Sequence, residues 1–331
     1  MRTIRRILVA VKDPQSKSLP AVAKATQLAR ALGAHVELFH DLNTPIYIDT
    51  AGPTEEGYSG MMREQRARRL SQLETLASRV RKHGVKVSVA AEWDFPAYEA
   101  IVRRATRTGA DLIVVGCRTG HRFAPLLLRL TDWELLRFSP VPVLLVKNTR
   151  PYRRPVVLAA VDPGHAHAKT SRLDEEILNT AAAIQSALRG SLHAVHAFMP
   201  TPVGATSSDL LNGDVLVRMQ KDLETAATAR FDRALRKMNI PSARRHLIGR
   251  HPQDAIEQAV RETHSALVVM GAVSRSGLKR IFIGNTAESV LDDLPCDVLI
   301  VKPTKFANRV PRAKRGANLI VPQPMMPSGL Y

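Results

Sequence analysis

The 331-residue sequence predicts two tandem α/β domains, each a doubly wound, five-stranded parallel sheet. Three observations carry that expectation. The chain repeats itself: "ILVAVKDP" (7–14) is answered by "VVLAAVDP" (156–163), "ADLIVVGC" (110–117) by "SALVVMGA" (265–272), and "RLTDWELLRFSPVPVLLVKN" (129–148) by "GNTAESVLDDLPCDVLIVKP" (284–303). Short apolar runs rich in β-branched residues recur in both copies without polar alternation, as expected of parallel strands covered on both faces. Segments of helical period separate those runs.

The first copy places strands at 4–11, 35–40, 85–91, 111–116 and 141–147. Leu19, Val22, Ala25, Ala29 and Leu32 form one helix face between the first two strands, and Gly33 stops that helix. Leu70, Leu73, Ala77 and Val80 form another before the third strand, with Arg66, Arg69, Arg79 and Arg81 on other faces. The second copy repeats the order, with strands at 156–161, 192–197, 243–248, 266–271 and 297–302. The domains are therefore drawn at 1–148 and 156–303. Between them 149–155, rich in proline and arginine, reads as an exposed linker. Residues 304–331 read as a basic, flexible tail with a short docking segment at Leu319 to Val321.

Composition bounds the function. With 45% hydrophobic and 24% charged residues the chain is neither disordered nor fibrous. A formal charge of +18 favours acidic partners, nucleic acid or anionic lipid, but it governs association and solubility and not fold. Cys117 and Cys296 are far apart and in no ligand spacing, so neither a disulfide framework nor a zinc site is expected. The apolar stretch near the N-terminus ends at Lys12, too soon for a signal peptide, and no run approaches the roughly 18 residues that span a bilayer. A cytoplasmic protein is the expectation.

Several marks together resemble the universal stress protein family. The first strands end in Asp-Pro, the fourth end in Gly, and a closing helix leads through Pro-Cys-Asp into a valine-rich last strand. The TDW…LLR phrase (131–137) and the GNTAE phrase (284–288) look like the tandem, E-type members, whose adenine nucleotide alpha hydrolase-like domains pair side by side. The resemblance implies a test for ATP, which binding members hold with an Asp after the first strand and Gly-x-x-Gly, nine residues, then Gly-Ser or Gly-Thr. Glycines let backbone amides approach phosphates, and a helix N-terminus adds positive potential. The second half offers Asp162, Gly271 and Gly284 in register, with Ser274 at the middle glycine, Asn285 at the hydroxyl position and Thr286 one place later. Those six residues are the candidate site for ATP with magnesium. The first half keeps Gly116 but has Thr119, Arg129 and Leu130 at the other positions, so no nucleotide is expected there; Asp13 then serves chain reversal.

Each candidate has a plainer role. Gly284, Asn285 and Thr286 equally suit a helix cap. Arg275, Lys279 and Arg280 suit either phosphate neutralisation or ordinary surface charge. His165 and His167 suit a loop better than a metal site, and His40 and His196, ending equivalent strands, a structural or pocket-edge role. Cys296 reads as a small buried residue, and Trp133 and Glu134 as packing between elements. No phosphate loop of the GK[ST] type, nucleophile elbow or HExxH motif occurs, so no catalytic residue is assigned. The leading expectation is a non-catalytic stress-response protein with a ligand pocket in its second half and paired domains that can dimerise further. A slow ATP hydrolase or self-phosphorylating protein, using Thr286 or Ser274, and sequence-blind nucleic-acid binding are the alternatives.

Overall fold

Why would a chain hold two copies of one domain side by side? The computed structural model describes residues 3–48, 54–117, 125–164, 172–200, 213–272, 291, 293–304 and 306–320. In the first half β1 (Arg6–Ala10), β2 (His35–Leu42), β4 (Val87–Trp93), β5 (Leu112–Gly116) and β6 (Val143–Val146) pair in parallel in the order β4-β2-β1-β5-β6. In the second, β7 (Val156–Ala160), β8 (Ser191–Ala197), β9 (Arg245–Ile248), β10 (Leu267–Gly271) and β11 (Asp297–Val301) repeat it as β9-β8-β7-β10-β11. All ten expected strands are present.

The two sheets are one. β6 and β11 pair antiparallel, joining the halves into a ten-stranded sheet. Leu144 lies opposite Leu299, and these are equivalent positions of the repeat, 155 residues apart as are 129 and 284. Val143 faces Ile300 and Leu145 faces Val298, each pair being the other's exchange. A pseudo-twofold axis therefore passes through two leucines that are fully buried. Because the seam is antiparallel, the carboxyl ends of the strands point to opposite ends of the sheet in the two halves.

Helices cover both faces. α1 (Pro20–Leu32), α2 (Glu55–Arg81), α5 (Leu173–Ala187) and α6 (Gly213–Leu235) pack one core, and α3 (Ala97–Thr108), α4 (Pro125–Phe138) and α7 (Pro252–Thr263) the other. α1 starts on a proline at its first turn and stops at Gly33, whose φ of 67° is left-handed, as the sequence indicates. In α2 only Leu73, Leu76, Ala77 and Val80 are buried; its N-terminal half carries charge into solvent.

Two expectations are corrected. The linker is exposed apart from Tyr152 and Pro155: Tyr152 is buried and donates its hydroxyl to Asp297 at 2.6 Å. Asp297, wholly buried at the start of β11, also accepts from the Lys147 amide (2.9 Å) and pairs with the buried Lys24 of α1, whose ammonium reaches Asn148 as well (2.9 Å). Burial, and then the Asp297 charge, push the Tyr152 phenol well above its ordinary range. The chain after Pro303, expected to be flexible, is held against the first half over 306–320. Leu319–Ile320 form β12, paired in parallel with β3 (Ile46–Tyr47), so the docking segment is real as far as Ile320; residues 321–331 lie outside the described residues.

The Asp297 knot yields a stability test. Asp297→Ala strands a buried ammonium and should cost about 3–5 kcal/mol in urea unfolding, whereas the triple variant Lys24→Met, Asp297→Leu, Tyr152→Phe should recover most of that loss.

Candidate functional site

In a doubly wound sheet, ligands sit beyond the strand carboxyl ends where the strand order reverses, here between β1 and β5 and between β7 and β10. Ala160 of β7 is registered with Met270 of β10, so Asp162 and Gly271 leave neighbouring strands at the same end. The structure thus brings these two together. Ser274, Gly284, Asn285 and Thr286 lie outside the described residues, as do Arg275, Lys279, Arg280, His165 and His167.

Gly271 has a packing role. A Cβ there would stand 2.6 Å from Leu173 Cδ2 and 3.2 Å from Ile177 Cδ1, so its bareness lets α5 close on β10. The Asp162 amide donates to Asp174 Oδ1 at 3.0 Å, tying the turn to the first turn of α5. His196 lies behind it with Nδ1 3.2 Å from the Val161 carbonyl; burial lowers its pKa, and the Asp162 charge opposes that. His40 makes the same contact with Val11 at 2.7 Å in the first half. Both histidines pin the end of a second strand to the loop after the first.

The first half carries charge at the equivalent end. Asp13 makes a turn, its carboxylate accepting the Gln15 amide at 3.0 Å. Beside it Lys12 donates to both oxygens of Asp132 on α4, at 3.0 and 3.2 Å. Burial raises the Asp132 pKa, with Lys12 opposing. Asp41, at the end of β2, is pushed up to about 7, chiefly by burial and against the pull of its own backbone amide and Lys12. Sequence reasoning missed Lys12, Asp41 and Asp132. A signal existed for two of them: where the first copy has Lys12 and Asp132, the second has Val161 and Ala287, so both partners of the ion pair are absent together.

No group of three or more His, Cys, Asp or Glu converges on a metal position among the described residues. His193 on β8 and His246 on β9 meet edge to edge instead, Nδ1 to Nε2 at 3.0 Å with ring planes 5° apart, one nitrogen donating to the other. Cys296 is buried, which pushes its thiol up to about 12, in keeping with a packing residue. Trp133 packs partly buried against the core between α3 and α4.

A model of the universal stress protein family matches residues 3–147 and, a second time, 156–302. The chain belongs to the universal stress protein family. It is 26% identical over 320 residues to universal stress protein E of Escherichia coli K12, covering 92% of this chain and 96% of that one. It is 25% identical over 321 residues to universal stress protein E of Photorhabdus laumondii, covering 93% and 98%. A Pseudomonas aeruginosa PAO1 protein described as functionally unknown superposes with a TM-score of 0.68 at 25% identity, over 92% of this chain and 95% of that chain. A universal stress protein from Archaeoglobus fulgidus shares the fold at a TM-score of 0.58 and 18% identity, over 92% and 98%. Tandem universal stress domains of the E type therefore account for nearly the whole repeat.

Two tests follow from the geometry. Lys12→Met leaves the Asp132 carboxylate without its cation and should cost about 1–3 kcal/mol at pH 7 in urea unfolding. The deficit should shrink toward pH 5, because a carboxyl with a raised pKa is neutralised in the folded protein as pH falls. The His193 pKa is lowered to about 4 by burial and then by the His246 and Arg244 charges. The unfolded chain therefore takes up that proton first, and stability should fall between pH 6.5 and 4. Acid unfolding followed by circular dichroism should show a smaller loss for the double variant His193→Gln, His246→Gln than for the parent.

Proposed function

We propose that this protein is a non-catalytic, cytoplasmic stress-response protein whose second half holds a nucleotide-class ligand, with ATP and magnesium the first to test. One observation carries the reading: Asp162 and Gly271 lie side by side at the strand-order reversal of the second half, while at the matching end of the first half Lys12 and Asp132 form an ion pair where the second copy has Val161 and Ala287. That asymmetry supports one ligand per chain.

The donor set suits the ligand in part. The Asp162 carboxylate is an acceptor for the amino or hydroxyl donors of a nucleoside. Gly271 serves α5 packing, so Ser274, Gly284, Asn285 and Thr286 would hold the phosphates. Magnesium, when bound, would neutralise phosphate charge. A bound ligand would act by linkage, stabilising the folded state by mass action and shifting its affinity for partners. The two unbridged cysteines fit a reducing compartment, and among the described residues no helix is long and apolar enough to cross a membrane.

Isothermal titration with ATP and magnesium should give heat with the parent and at least about tenfold weaker binding with Gly284→Trp. Equal heats from the two proteins would place the ligand elsewhere. Turnover of radiolabelled ATP that disappears in a Ser274→Ala, Thr286→Ala variant would show the protein to be an enzyme instead.

A further inference from the structure

Residues 303–304 and 306–320 lead from the second half onto the first. They leave β11 at the carboxyl end of the second half, where Thr304 Oγ1 lies 3.4 Å from Glu176 Oε1 on the first turn of α5. They then descend along α3 from its last turns to its start, Asn308 donating to Thr106 Oγ1 at 3.3 Å and Val310 burying itself in the α3–α4 core. Pro311 offers its carbonyl to Arg103 at 3.2 Å. The Arg315 amide donates to Asp94 Oδ1 at 3.0 Å, just past β4, and its guanidinium grips Glu99 through two bonds of 3.0 and 2.8 Å. Lys314 pairs with Glu92 at 2.5 Å. The segment turns at Gly316, with φ 77°, and ends as β12 on β3, beyond the end of β2. It therefore joins the strand carboxyl ends of the two halves, which the antiparallel seam places at opposite ends of the sheet.

The two sides of this contact differ in burial. On the receptor side Arg103, Asp94 and Glu99 have side chains at most 5% exposed, and Arg103 holds both carboxylates at 2.7–2.8 Å. These pairs within the triad involve no side chain of the strap. On the strap side Lys314 and Arg315 are 41% and 48% exposed. Salt screens exposed charges strongly and buried pairs little. The strap's grip, carried by half-exposed cations, therefore weakens with ionic strength, while Arg103 holds Asp94 and Glu99 by contacts of its own. Two further cations of the segment, Arg309 and Arg312, face solvent.

We propose that residues 306–320 are an electrostatic latch: a strap laid along α3, past the carboxyl end of β4 and onto β3, that opens as a unit when Arg315 and Lys314 release a preformed receptor at Glu99 and Glu92. Opening bares Glu92, Asp94 and Glu99 with their arginine partners and the edge of β3. The latch stands whether or not the second half binds a nucleotide, because its contacts from residue 308 onward are to the first half.

Amide hydrogen exchange reads the latch directly. The Ile46 and Ile48 amides are bonded to Asn318 and Ile320 carbonyls, and the Val11 amide to Phe39 inside the first half. Raising salt from about 0.05 to 1 M should speed exchange at Ile46 and Ile48 by on the order of tenfold and leave Val11 unchanged. Arg315→Glu at low salt should do the same, and Arg309→Glu should not. Unchanged exchange at Ile46 and Ile48 both in 1 M salt and in Arg315→Glu would overturn the proposal, showing the strap to be held by Val310 and backbone pairing. An equal effect of Arg309→Glu would also overturn it, since net charge alone would then set the opening. The salt comparison on the parent stands even where Arg315→Glu fails to fold.

Discussion

The seam between β6 and β11 constrains everything else in this molecule. It is three registered pairs long, centred on Leu144 and Leu299, and it converts two small sheets into one. Each copy of the domain has a fifth strand whose outer edge would otherwise expose unpaired backbone groups, a standing invitation to aggregation. Duplication answers that problem, since each copy covers the other's edge. Next to the axis the symmetry breaks: Asp297 stands where the first copy has Pro142, and one carboxylate gathers Lys24, the Lys147 amide and Tyr152. A buried ion pair adds little stability over a well-packed apolar substitute, but it makes any other juxtaposition of the halves leave charge unpaired. We read the knot as the device that specifies how the copies meet.

The repeated lysine that closes each copy shows how equivalent letters acquire different work. Lys147 reaches across the seam and donates to the Leu291 and Leu294 carbonyls, just ahead of β11. Lys302 holds its ammonium 4.7 Å from the Phe306 ring, at the root of the strap, where burial and then Arg137 lower its pKa to about 8. The strand-end crevices diverge likewise. An ion pair stands at the first, and the second keeps Val161 and Asp162 beside a helix that packs on a bare glycine. The two strand ends thus differ in charge and packing while the fold of the halves stays the same.

Net charge also reads differently once its partners are placed. A surplus of +18 suggests a cationic surface seeking an anionic partner. Part of it is spoken for within the molecule. Arg104, Arg107 and Lys314 converge on Glu92; against burial, Arg107 and Lys314 hold its carboxyl down to about 2, and Arg315 serves Glu99. Composition counts these residues as free charge; the fold employs them as ties between the C-terminal strap and the first half.

The sequence by itself determined the ten strands, the doubly wound class and the tandem arrangement. These follow from local periodicity and from a repeat that can be laid over itself, as Gly33 stopping α1 and Leu73, Ala77 and Val80 facing the core illustrate. It also placed Asp162 and Gly271 at one strand end, because the order of elements decides which loops emerge together. Only the tertiary structure decided that Gly271 makes room for Leu173, that Tyr152 turns inward from a polar linker, and that Arg315 ends on Glu99, 216 residues away. The physical reason is one of range. Backbone propensity and apolar period act over a few residues and are written in neighbouring letters. Burial of a single polar group, or the meeting of charges more than a hundred positions apart, depends on surfaces that exist only after the sheet has closed.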